Sequence, residues 1–134
     1  MFRVQLRYLG LGTAALCATA AMGAAAVANG KRSTSDGVFT AAQAERGKAV
    51  YEQSCKNCHQ ADFYVERLQR WENKPVSELF ESLSTTMPAD NVGSLATSEY
   101  VDVLAYVFSI TGSPAGKTEL TTDNYESINT AAPK

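Results

Sequence analysis

Apolar residues arrive first as a dense block and then as three stripes of helical period set between polar stretches. Residues 1–28 form the block. Residues 29–38 (NGKRSTSDGV) are polar and read as a flexible lead-in. Phe39-Thr40-Ala41-Ala42-Gln43 has the chemistry of a helix start: Thr40 to cap a free N–H, Gln43 to reach back, and Phe39 to staple the first turn. That helix should run to about Ser54, with Gly47, Tyr51 and Cys55 four apart and therefore on one face. A glycine within such a stripe predicts that another helix crosses closely there. A second helix follows Pro75, a residue suited to a first turn, with Val76, Leu79, Phe80 and Leu83 spaced i, i+3, i+4, i+7. Thr85-Thr86-Met87-Pro88 breaks the period, and Pro88 pushes Met87 towards extended backbone. A third helix spans about Ser98 to Ile110, with Tyr100, Val103, Leu104 and Val107 in its stripe and Tyr106 beside it. Gly112-Ser113-Pro114 stops it. The tail from Ala115 to Lys134 is polar, and Leu120, Tyr125 and Ile128 are its residues able to dock. No strand alternation, internal repeat or Gly-rich phosphate loop is present. The pattern predicts an all-α fold of three main helices joined by long irregular connections.

Composition changes meaning once the block is set aside. Residues 1–28 hold 20 hydrophobic residues and two charges, Arg3 and Arg7. A positive start, an apolar middle and Ala26-Val27-Ala28 before Asn29 together read as a cleaved signal peptide, which predicts export to the periplasm. The alternative is an uncleaved anchor that tethers the protein to the membrane. The other 106 residues are 38% hydrophobic, with ten Lys and Arg against fourteen Asp and Glu. Their net charge is −4, against −2 for the whole chain, which excludes a nucleic-acid-binding basic surface. So modest an apolar content in a small domain calls for a staple: a disulfide, a metal or a cofactor.

Cys55-Lys56-Asn57-Cys58-His59 supplies the candidate. C-x-x-C-H is the attachment pattern of c-type haem: two thiols spaced to add across two vinyl groups on one porphyrin edge, followed by an imidazole for the iron. His59 is the chain's single histidine, so nothing else competes for that role. A thioredoxin-like thiol pair, a Cys55–Cys58 disulfide and a zinc site use the same residues. The first wants a βαβ setting, the second closes a very short loop, and the third lacks a fourth Cys or His ligand. Export agrees with haem, because bacterial c-type haem is attached beyond the inner membrane. Beyond residue 28 there is one methionine, Met87, in a loop before a proline. A thioether there would complete His/Met ligation, the electron-transfer pairing. The alternative is an open sixth position, as in gas-binding or peroxidase-like haem proteins. With His59 committed, no Ser/His/Asp or Cys/His nucleophile set remains.

On these residues the chain resembles the small class I c-type cytochromes. The likeness runs from about Glu45 to Leu120. It takes in Gly47 and Tyr51, Cys55-x-x-Cys58-His59, Thr86-Met87-Pro88 and Asp102-Val103-Leu104-Ala105-Tyr106. It implies a cytochrome c fold over 39–120, between the lead-in 29–38 and a polar tail 121–134. It also implies one covalent haem c and first and last helices crossing beside it, with Gly47 and Tyr51 meeting Val103 and Tyr106. The stretches Leu79 to Pro88, Tyr100 to Tyr106 and Pro114-Ala115-Gly116 are also similar to short cytochromes found with quinoprotein (PQQ-type) dehydrogenases. That implies redox protein partners, a quinoprotein dehydrogenase as donor and a terminal oxidase as acceptor, and a role as electron carrier rather than enzyme. Two features depart from the family. The His59–Met87 gap of 28 residues is short, so one haem edge should be more exposed. No proline follows C-x-x-C-H to supply the carbonyl that orients the histidine, so that group is unassigned. Trp71, Arg67 and Arg70 are candidates for the haem propionates. Phe63, Tyr64, Leu68, Phe80, Leu83, Leu95 and Leu104 are candidates to line the pocket.

Overall fold

Thr40 caps the first helix as expected, its hydroxyl accepting the Gln43 N–H at 3.1 Å, and α1 runs Ala41–Ser54. This and the following description come from a computed structural model, which describes residues 31–134. The apolar block 1–28 and its cleavage pattern lie outside the described residues. After α1 come α2 (Ala61–Gln69), α3 (Val76–Thr86) and α4 (Thr97–Ile110). Pro75 stands just before α3, at its N-cap, rather than within the first turn. Glu99 starts α4 by accepting the Ala96 N–H at 2.7 Å. Gly112, with φ +94°, closes it: Ser113 N–H reaches the Phe108 carbonyl at 2.9 Å and Gly112 N–H that of Ser109 at 3.3 Å.

The fold is mostly helical, but the described residues form four helices rather than three, and they include a small sheet that the absence of strand alternation argued against. Strands β1 (Arg32–Ser33) and β2 (Ile128–Asn129) pair in parallel, Arg32 opposite Ile128 and Ser33 opposite Asn129. Residues 31–38, expected as a flexible lead-in, instead carry β1 and a 3₁₀ turn, Thr34–Asp36. The Asp36 carboxylate accepts the Ser33 N–H at 2.7 Å, the Ser33 hydroxyl accepts that of Ser35 at 3.3 Å, and Thr34 and Val38 are buried. The ordering comes from partners far along the chain. Ala131 N–H donates to the Thr34 hydroxyl at 2.8 Å, and Gly116 N–H to the Phe39 carbonyl at 2.6 Å.

The core joins Phe39, Ala44, Leu68, Val76 and Leu79 to the buried run Val101, Val103, Leu104, Ala105, Val107 and Phe108 of α4, and Leu120 and Ile128 complete it. α1 packs on α4 through Gly47. A Cβ at that position would lie 1.8 Å from the Asp102 carbonyl oxygen, so only glycine permits the approach. Beside the crossing, the Arg46 guanidinium grips Asp102 through two bonds of 2.9 and 3.1 Å and reaches Glu119 at 3.0 Å. These carboxylates hold the guanidinium firmly charged. Gln43 does not reach back to cap α1. It is buried, and its amide bonds both the N–H and the carbonyl of Leu120, at 2.9 and 2.8 Å. Leu120 and Ile128 dock as expected, Tyr125 packs against the core, and Thr130 is buried beyond them. Thr130 exchanges backbone bonds of 2.9 Å with Asn73 and Lys74, fastening the α2–α3 connection to the tail.

Candidate functional site

Cys55 ends α1, and its carbonyl accepts the N–H groups of Cys58 (3.1 Å) and His59 (2.9 Å). The C-x-x-C-H segment is thus one helix-like turn between α1 and α2. Both thiols are free, Cys55 half-buried and Cys58 exposed. Burial pushes the Cys55 thiol pKa up, holding it in the protonated form at neutral pH. The half-buried His59 ring stacks on Phe63 at 4.4 Å and 27°, with Tyr64 edge-on at 6.1 Å. Tyr51 stands one helical turn before Cys55. Its hydroxyl donates to the His59 carbonyl at 2.6 Å, and its ring meets Tyr106 at 5.1 Å and Tyr64 at 5.9 Å. The predicted meeting of α1 and α4 is therefore present, through Gly47 against Asp102–Val103 and Tyr51 against Tyr106. Desolvation, more than any neighbouring charge, raises the pKa of both Tyr51 and Tyr64, so both hydroxyls stay protonated.

Met87 sits at the C-terminus of α3 in the extended conformation that Pro88 demands, φ −128° and ψ 153°. Its N–H caps the helix on the Leu83 carbonyl at 2.9 Å, and its carbonyl accepts the Tyr100 hydroxyl at 2.7 Å. A tyrosine hydroxyl therefore holds the main chain of each predicted iron ligand: Tyr51 of α1 holds His59, and Tyr100 of α4 holds Met87.

The remaining predicted residues separate. Arg67 and Lys74 stand over the Trp71 ring, at 5.7 and 5.0 Å from its centroid, and Arg67 also reaches the Ser82 hydroxyl at 3.3 Å. Trp71 packs against the core, and its carbonyl meets the Thr130 hydroxyl. Arg70 points away, exposed, with Glu66 at 3.9 Å. Of the candidate lining residues, Leu68 and Leu104 are buried in the core, Tyr64, Phe80 and Leu83 pack against it, and Phe63 is 43% exposed. Sequence reasoning took Tyr51 and Tyr100 as members of apolar stripes and missed what their hydroxyls do, because periodicity reports a face and not a hydroxyl's partner. Lys74 was missed as well.

Among the described residues, no three His, Cys, Asp or Glu side chains gather where one metal ion could be held. Two surface grooves, one along α3 beside Tyr125 and one between α1, α4 and the tail, are lined by none of Cys55, Cys58, His59 or Met87. Among the described residues no helix is long and apolar enough to cross a membrane. No family model, curated protein or solved structure matches the chain.

Proposed function

We propose that the chain is a monohaem c-type cytochrome of the periplasm, carrying single electrons between a dehydrogenase and a downstream acceptor. The observation that carries the reading is the donor set on the turn after α1: two free thiols and an imidazole in C-x-x-C-H order, at a segment edged by Tyr51, Phe63 and Tyr64. These residues suit a porphyrin better than a single metal ion, since thiols that bond a ring edge and an imidazole that faces its centre need not converge on one point. Cys55 and Cys58 would hold the macrocycle as thioethers, and His59 and Met87 would ligate the iron. When bound, the group supplies one-electron Fe(II)/Fe(III) chemistry.

The chain's own residues do the rest. Tyr51 and Tyr100 fix the main chain at the two ligand positions, which keeps both in place through a change of charge. Tyr64, which packs against the core with its ring near His59, would help keep water from that side of the site and favour the less charged state. Phe63, exposed at 43%, lies against His59 at the surface where electrons would enter and leave. In this reading the four-helix arrangement is a cytochrome c fold with a short His59–Met87 connection. The surface charge of −4 beyond residue 28 suits partners with a basic docking patch, among which a quinoprotein dehydrogenase is the proposed donor.

Intact mass of the exported protein tests the reading directly. It should equal the chain from Asn29 onward plus one haem, and the haem should survive acid–acetone extraction. Cys55→Ala/Cys58→Ala should lose it. A haem-free mass from cells competent in cytochrome maturation, or rapid carbon monoxide binding by the untouched ferrous protein, would overturn it.

A further inference from the structure

The two ligand positions are not held equally. His59 is fixed by its N–H on Cys55, its carbonyl on Tyr51 and its ring on Phe63, and it adjoins a cysteine. Met87 has less. Its N–H bonds only within α3, to Leu83, and Pro88 has no N–H with which to extend the ladder. Residues 89–94 are exposed, and their backbone bonds are local turns, Asn91 to Pro88 at 3.0 Å and Ser94 to Asn91 at 3.2 Å. Among the described residues, the Tyr100 hydroxyl makes the one hydrogen bond that ties the stretch 87–95 to a separate element. Tyr100 is well placed for this. It is 4% exposed, on the buried helix α4, with its ring edge-on to Phe80 at 6.2 Å and Phe80 in turn against Tyr125 at 5.3 Å.

Building on the reading of Met87 as the sixth ligand, we propose that Tyr100 is the positioning residue that keeps Met87 in place and sets how readily a foreign ligand displaces it. It acts through the Met87 carbonyl and touches no reacting atom. A ligand competing for the sixth position binds more tightly as the protein's own ligand is held less firmly.

The test is imidazole titration of the ferric holoprotein, followed by the visible spectrum and the weak near-infrared charge-transfer band of a methionine–iron bond. Tyr100→Phe keeps the ring against Phe80 and removes one neutral hydrogen bond, so imidazole affinity should rise roughly 3- to 10-fold. Tyr51→Phe removes the matching bond on the His59 side and should leave the affinity within about twofold of wild type. Phe80→Leu loosens the same packing but keeps the hydroxyl, and should not raise imidazole affinity. The inference is overturned if Tyr100→Phe binds imidazole as wild type does, or if Phe80→Leu or Tyr51→Phe matches its gain. Failure of the underlying reading looks different: the wild type would lack the methionine band, and Met87→Ala would bind imidazole no more tightly than wild type.

Discussion

The α1–α4 crossing and helix α2 are built on opposite terms. At the crossing two 14-residue helices meet backbone to backbone, with no room for a Cβ at Gly47, and eight residues of α4 are buried. Helix α2 has nine residues, of which Leu68 alone is fully buried, and it leaves Phe63 exposed beside His59. The crossing is held by the protein's own packing. The segment carrying the proposed haem attachment is held by one leucine, an aromatic cluster and the tail's grip on residues 73 and 74. Under the proposed function, the haem would be carried by the less buried of these two regions and the packing of the other would supply the frame.

The largest effect should come from closing the gap at the crossing. Gly47→Ala puts a methyl into the Asp102 carbonyl and should destabilise the protein by about 3 kcal/mol or more, measured by urea denaturation. An unchanged midpoint would mean that the helices do not approach as described. Leu68→Ala removes the buried anchor of α2 and should cost about 2–3 kcal/mol, with the loss in amide-exchange protection greatest over residues 61–69. In the wild type the same amides should already exchange through local opening, while those buried in α4 exchange only on global unfolding. Gln43→Ala leaves both Leu120 backbone groups without their partner and should cost about 1–2 kcal/mol, read as a lowered thermal midpoint. In chain produced without haem attachment, iodoacetamide should label exposed Cys58 ahead of Cys55. Burial raises the Cys55 thiol pKa, so its reactivity should keep climbing at pH values where an ordinary thiol has levelled off. Arg70→Ala, on the outer face of α2, should change stability by no measurable amount, because the pair with Glu66 is long and exposed.

The same contrast explains what could be read from the sequence. Helices α1, α3 and α4 were legible because each buries a stripe against the core. Gly47 was legible because a glycine in such a stripe has few uses other than a close crossing. Helix α2 was not, since one fully buried residue in nine writes almost no period. The strand pair was hidden because two-residue strands cannot show alternation, and because the order of residues 31–36 depends on Ile128 to Ala131, almost the whole described chain away. Gln43 was misread for a related reason. The local option, capping α1, is visible in sequence, whereas the long-range one, clasping Leu120, is not. Of the candidate site, residue type and spacing singled out Cys55, Cys58, His59 and Met87. The hydroxyl contacts of Tyr51 and Tyr100 needed coordinates.

The pairing of β1 with β2 also fixes an order of events. Proteins are made from the N-terminus, so Arg32 and Ser33 have no ladder partner until residues 128 and 129 have been synthesised. Such a contact contributes heavily to contact order, and its loop-closure entropy must be met late. Cys55 and Cys58 emerge long before that last closure. Under the proposed function, thiols modified as they emerge would belong to a chain whose final clasp has yet to form.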